Sequence, residues 1–211
     1  MMTIEQAPQK KSIAAIDGGF SYHHQSLRCE PFAHFFDEVI YIRDVPLTDL
    51  TQFGTLIIPC RTNAFHLAPL SEQFQSYMKA GGRLVVMGET FPDRWLPNIS
   101  FTGMETNFWW WLEKGADLGV RIVDTNHPMS AHVTKEGATW HLHGTLDPLT
   151  KNQQSLIASQ NGECLMFEDV SSYAPGTLLV TTLDPFYHHG CHFMPATTVF
   201  LDRFLTWLSE G

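Results

Sequence analysis

Four short runs constrain this chain more than any other feature: Ser12–Asp17 (SIAAID), Thr55–Pro59 (TLIIP), Arg83–Met87 (RLVVM) and Thr177–Leu183 (TLLVTTL). Each is apolar along most of its length rather than at alternate positions. A strand with one wet face alternates apolar and polar residues, so a continuous run implies that both faces are covered. Two helical stretches lie among the first three runs. Glu30–Val39 (EPFAHFFDEV) reads as a short helix with Pro31 in its first turn. Pro69–Ala80 places Leu70, Phe74, Tyr77 and Met78 on one face, and Gly81-Gly82 supplies the stop. Ile40–Val45, closed by Pro46, reads as a further strand. Strands alternating with helices imply a parallel sheet with right-handed crossovers.

The second half is less regular. Residues 91–137 carry Trp109-Trp110-Trp111 and no clear period. Ala138–Leu142 reads as a strand running into His143-Gly144. Ser155–Ser159 and Cys164–Asp169 read as antiparallel edge strands around an Asn161-Gly162 turn. A closing helix over Ala196–Ser209 buries Phe200, Leu201, Phe204, Leu205 and Leu208. The expected fold is α/β: a three-layer sandwich with a flavodoxin-like, mostly parallel sheet and an antiparallel edge. No repeat or linker interrupts it, so residues 12–211 read as one domain behind a mobile segment, residues 1–11.

Charge removes several function classes. The net charge is −9, and the only basic cluster is Lys10-Lys11, so no nucleic-acid partner is expected. No run approaches the roughly 20 apolar residues that span a bilayer, and the first nine residues lack the apolar core of a signal peptide. The four cysteines, Cys29, Cys60, Cys164 and Cys191, show no CxxC spacing. A reduced, cytoplasmic chain is the simplest expectation.

The chain has 11 histidines, and their placement matters more than their number. Open α/β sheets bind ligands beyond the carboxyl ends of their strands. Tyr22, His23 and His24 follow the first run. Cys60, Arg61, Asn63 and His66 follow the third strand, and Glu89 and Thr90 follow RLVVM. Trp140, His141 and His143 accompany the strand expected at 138–142. Asp184, Tyr187, His188, His189, Cys191 and His192 follow the last core run. Only His34, His127 and His132 lie elsewhere. Several loops thus bring titratable groups toward one rim, which is the layout of a site.

With these residues in view, the chain resembles the class I glutamine amidotransferase-like superfamily. TLIIP, the helix ending in AGG, RLVVMGE, and a late strand entering a Pro-containing loop before a C-terminal helix carry the resemblance. The trehalose-utilisation-type and β-galactosidase trimerisation-type branches are the closer ones. The resemblance implies a flavodoxin-like sheet, and for the trimerisation-type branch an oligomer. The family's Cys nucleophile belongs after RLVVM, where this chain has Glu89 and Thr90. Its catalytic His belongs after the late strand, where this chain reads Asp184-Pro185-Phe186. A Thr hydroxyl without an adjacent base is a poor nucleophile, and an Asp is a poor proton shuttle near neutral pH. Glutamine hydrolysis by the family's triad is therefore not expected. Cys60 and Cys191 remain open as reactive thiols.

The leading expectation is a site for a small polar metabolite, carbohydrate-like or carboxylate, with turnover left open. His141, His143, His188 and His189 would be acid/base or ligand groups, with Glu89 and Asp184 setting their charge. His23, His24, Arg61, Asn63, Thr90, Trp140 and Tyr187 would line the site, with Arg61 on an anionic group. His141-x-His143 on a strand would share one face, and with His188 and His192 these could hold one divalent metal. Zn, Mn, Ni or Fe suit imidazole and carboxylate donors. A metal-dependent hydrolase or isomerase is thus one alternative. A non-catalytic oligomerisation module, with the Trp run in its interface, is the other. Asp17-Gly18-Gly19 reads as a tight turn, since it lacks the further glycines of a phosphate loop.

Overall fold

The computed structural model describes residues 12–105 and 108–211, without the side chain of Trp111. The expectation of a mobile segment, residues 1–11, lies outside the described residues, as does Lys10-Lys11. In chain order the elements are β1 (Ile13–Asp17), α1 (Ser21–Arg28), β2 (Glu38–Tyr41), β3 (Thr55–Ile58), α2 (Ala64–Leu67), α3 (Ser71–Lys79) and β4 (Arg83–Met87). Then come β5 (Thr102–Gly103), β6 (Arg121–Ile122), α4 (Lys135–Ala138), β7 (Gly144–Thr145), β8 (Gln153–Ala158), β9 (Cys164–Asp169), β10 (Thr177–Thr181), α5 (Pro185–Gly190) and α6 (Pro195–Glu210).

The main sheet runs β2-β1-β3-β4-β10-β9-β8-β6. β2, β1, β3, β4 and β10 are mutually parallel, while β10-β9, β9-β8 and β8-β6 pair antiparallel. The antiparallel part is thus wider than the edge hairpin read from the sequence. The apolar runs are buried on both faces, as their composition requires. Ala15, Ile57, Val85 and Leu179 face one layer with Leu27, Phe186, Phe200 and Phe204. Ile16, Leu56, Ile58, Leu84, Val86 and Val180 face the other, with Phe74, Tyr77 and Met78 of α3. Each such side chain contributes about 1.5–3 kcal/mol by leaving water. Among the described residues, no helix is long and apolar enough to cross a membrane.

The sequence misplaces three elements. The helix expected at Glu30–Val39 is a single 3-10 turn at Ala33–Phe35, and β2 begins at Glu38 rather than Ile40. The helix after β1 is α1, whose polar sequence SYHHQSLR hides a three-residue buried face: His23, Ser26 and Leu27. The strand expected at 138–142 does not form. Its first residue ends α4, and 139–143 is irregular chain leading to the short β7.

α1 and α5 press together beside the sheet. Ser26 Oγ donates to the Phe186 carbonyl at 2.7 Å. A Cβ on Gly190 would lie 2.3 Å from the Tyr22 carbonyl oxygen, so only glycine fits there. This contact carries His23 and His188 to the same end of the sheet.

Candidate functional site

The site is built where β3, β4 and β10 end side by side. Gly88, one residue past β4, has φ +62°. A Cβ there would sit 2.4 Å from Cys60 Cβ and 2.9 Å from Asp184 Cβ. Glycine therefore lets Arg61, Glu89 and Asp184 crowd together. Arg61 itself has φ +64°, a left-handed conformation uncommon for a side chain of this size. Its guanidinium lies 2.9 Å from Glu89, 3.9 Å from Asp184 and 3.7 Å above the Tyr187 ring.

Asp184 is the buried anion of the group. Trp140 Nε1 donates to its Oδ1 at 2.9 Å. His188 Nε2 lies 3.1 Å from Oδ1, and His143 Nε2 lies 3.4 Å from Oδ2. On its other side, His143 Nδ1 lies 3.6 Å from Glu89 Oε1. His141 completes the set: its ring centroid is 4.6 Å from that of His188 and 5.4 Å from that of His143.

Charge follows from this packing. Burial alone would raise the Asp184 carboxyl, but His143 and His188 hold it well below the usual carboxylate range. Burial would push the His143 imidazolium to lower pKa, yet Asp184 and Glu89 together raise it above its ordinary value. Burial pushes His141 down to about 4, with the neighbouring His188 acting in the same direction. His141 is therefore neutral at pH 7, with one nitrogen carrying a lone pair.

These contacts are close but poorly aligned. His141 Nδ1, His143 Nε2, both His188 nitrogens, Asp184 Oδ2 and Arg61 Nε are buried without a hydrogen-bond partner among the described residues. Buried polar groups normally find partners, and an unmatched one costs roughly 1–3 kcal/mol. Several such atoms converge in this one place. One donor atom each from His141, His143 and His188 lies within 4.8 Å of the others, and the same holds for Glu89, His143 and Asp184.

The other candidates from the sequence divide sharply. Tyr187 lies beside the cluster and carries Arg61. Trp140 is fully buried, so it supports Asp184 rather than offering a face to a ligand. Thr90 is fully buried, and its carbonyl accepts from Trp95 Nε1. Asn63 caps α2 by accepting from Phe65 N, at the edge of a neighbouring cavity. His24 is exposed on α1, away from the buried face. His189 turns the other way: its Nδ1 meets Thr198 Oγ1 at 2.9 Å and its ring packs on Phe32. His192 accompanies it at a separate, smaller cavity and is absent from both donor groups. Of the histidines that follow the last core run, only His188 therefore joins the cluster, because α5 rotates His189 away and ends before His192.

His23 is also not part of the cluster. Its Nδ1 accepts from Gly18 N at 2.9 Å, which leaves Nε2 to donate to the Cys60 carbonyl at 2.9 Å. Both nitrogens are used, and burial lowers its pKa. It is a neutral staple between β1 and β3. Cys60 is fully buried, its Sγ accepts from Tyr187 N, and burial pushes its thiol well above the usual range. Cys191 is exposed at the end of α5.

Two cavities flank Arg61. One, of about 570 Å³, is walled by Phe108, Trp109, Tyr187, Phe193 and Met194, with His141 and Arg61 as its polar contacts. The other, of about 670 Å³, includes Tyr22, Asn63, Glu89 and Arg94, again with Arg61. Phe193, Met194 and Arg94 escaped the sequence reading. Phe193 and Met194 follow a His-rich stretch with no period to mark them, and Met194 sits at φ +59°. Trp109, the first residue of the Trp run, is 66% exposed, and Leu112 just after the run is 63% exposed, so neither is core.

No protein-family model and no curated protein matches the sequence. Solved structures do resemble the fold. A protein from Thermoplasma acidophilum, described as a candidate GMP synthase component, superposes with TM-score 0.57 at 11% identity, over 97% of this chain and 96% of that one. A β-galactosidase from Rahnella sp. R3 gives 0.51 at 14% identity over 92% of this chain. An exo-β-1,4-mannosidase from Opitutaceae bacterium strain TAV5 gives 0.51 at 10% identity over 94%. The chain spans about a third of each glycosidase, 32% and 35% of their lengths. At such identities the likeness is one of fold alone: an α/β sheet covered by helices on both faces.

Proposed function

We propose that the protein binds a small polar metabolite at the Arg61–Glu89–Asp184 cluster, through one divalent metal held by His141, His143 and His188. The observation that carries this is the convergence of three buried imidazoles whose nitrogens lack aligned partners. Zn–N bonds are about 2.0–2.1 Å long, so donors that lie within 4.8 Å of one another would have to draw closer together to share one ion. Asp184 lies behind two of the rings, in the place of the carboxylate that usually orients metal-bound histidines. Zn, Mn, Ni or Fe suits such donors.

A metal there would polarise a ligand oxygen and lower the pKa of bound water. Glu89, beside His143 and 28% exposed, is placed to accept or return a proton. That combination supports hydrolysis or isomerisation of a hydroxylated or carboxylate compound. It does not support thiol-dependent glutamine hydrolysis, because the buried Cys60 is held as a neutral thiol. Free cysteines throughout the described residues fit the reducing cytosol.

The test is metal content of protein purified without a histidine tag, followed by thermal melting with added Zn, Mn, Ni or Fe. One equivalent of bound metal and a rise of several degrees in Tm are expected, and His141→Ala or His188→Ala should abolish both. No stoichiometric metal and no shift in Tm with any of the four ions would end this reading. A second reading, a self-association module, is favoured by the exposed Phe108, Trp109 and Leu112. Sedimentation of the parent and a Trp109→Ser, Leu112→Ser variant separates it: a parent oligomer that dissociates in the variant supports it, and a monomeric parent excludes it.

A further inference from the structure

The two cavities beside the cluster differ in chemistry and share one residue, Arg61. The first has aromatic walls and a thioether, from Phe108, Trp109, Tyr187, Phe193 and Met194. Its polar contacts are Arg61 and His141. Flat aromatic side chains suit a ring-shaped group, which gains by displacing water from their faces.

The second cavity carries two guanidinium groups, Arg61 and Arg94, against one carboxylate, Glu89. Arg94 stacks on Phe91 at 4.4 Å, and Phe91 is held at φ +50° by the turn that follows β4. Asn63 and Thr62 add polar lining. This side has an excess of cation and suits an anionic group. Tyr22 of this cavity and Tyr187 of the aromatic one meet edge to face at 5.1 Å, with Arg61 on Tyr187. Of the cluster, His141 lines the aromatic cavity, Glu89 lines the cationic one, and Arg61 lines both.

We infer that the ligand of this site is a two-part molecule: an uncharged ring in the aromatic cavity, joined to a carboxylate or phosphate group that faces Arg61 and Arg94. The linkage between the two parts then passes Arg61, the residue that the two cavities share. This rests on the reading of the cluster as the binding site and adds the class of molecule it selects. Volumes of about 570 and 670 Å³ are in the range of small-molecule sites, so each part is of metabolite size.

The experiment uses 3-phenylpropionate as a probe of both parts, propionate as the anion alone and 3-phenyl-1-propanol as the ring alone. Binding is followed by saturation-transfer NMR and by intrinsic Trp fluorescence, compared between the parent and a Trp109→Phe variant, on metal-free and Zn-loaded protein. The two-part probe should bind at least about tenfold more tightly than either half. Phe108→Ala should remove the advantage over propionate, and Arg94→Gln the advantage over the alcohol. Phenyl phosphate in place of 3-phenylpropionate distinguishes a phosphate from a carboxylate preference. Equal binding of the halves and the whole, or unchanged preferences in both variants, would overturn the inference. Metal content of the parent is measured alongside. A parent that takes metal but shows no two-part preference defeats this inference alone, whereas a parent that takes no metal defeats the reading of the cluster.

Discussion

Two groups of buried histidine stand at the same end of this sheet, and they differ in one respect. His23 is fully buried with both ring nitrogens bonded, one to Gly18 N and one to the Cys60 carbonyl. His141, His143 and His188 are nearly as buried, yet each has a nitrogen without an aligned partner. Burial of a histidine therefore does not mark function. What separates the two groups is whether the fold itself satisfies the ring.

The largest effect is expected where both groups depend on one residue. Gly88→Ala would place a methyl group against Cys60 and Asp184 at a left-handed φ. A loss of about 3 kcal/mol or more is expected from the strain and overpacking together, read from urea unfolding, with metal uptake lost as well. Next comes the direct contrast. His23→Ala should cost about 2–3 kcal/mol, because it strands a buried N–H and a buried carbonyl, while metal uptake survives. His141→Ala should change stability by less than about 1 kcal/mol and remove metal uptake. Equal destabilisation by the two, or retained metal in the second, breaks the distinction.

Proton binding sharpens the comparison further. His141 is held at about 4, below its ordinary value of 6.5, so its contribution to stability is intact above pH 6.5 and is lost as pH falls toward 4. His23, also lowered, behaves in the same sense. His143 is raised, so its contribution is intact below pH 6.5 and is lost as pH rises through its folded pKa. Histidine NMR titration of the metal-free protein should show His141 and His143, whose rings lie 5.4 Å apart, moving to opposite sides of 6.5. Titration of both on the same side contradicts the arrangement. The smallest effect concerns thiols: iodoacetamide should modify the exposed Cys191 within the native fold and leave the buried Cys60 untouched, as read by peptide mass mapping.

Much of the sheet was legible because its strands are continuous apolar runs. β4 and β9 begin and end where their sequence patterns do, and β3 differs by one residue. α1 was not legible, because a helix with only three buried positions shows little apolar period. The site was legible as a neighbourhood: Glu89, His141, His143, Asp184 and His188 are brought together, with Arg61 and Tyr187 beside them. Its limits were not. His188 and His189 are adjacent in sequence, and only the rotation of about 100° per residue in α5 separates them. Trp140 adjoins His141, yet its indole N–H reaches Asp184 and its ring enters the core against Phe200. Phe108 and Phe193 reach the cavity from distant segments, and no local pattern marks them.

β10 is the last strand of the chain, yet it lies between β4 and β9 in the middle of the sheet. During synthesis, the two flanks therefore wait for it. Until residues 177–181 leave the ribosome, Arg83–Met87 and Cys164–Asp169 each present a bare hydrogen-bonding edge. Such edges invite pairing with other chains. Asp184 follows three residues behind β10, so the strand that seals the sheet also delivers the carboxylate that gathers His143 and His188.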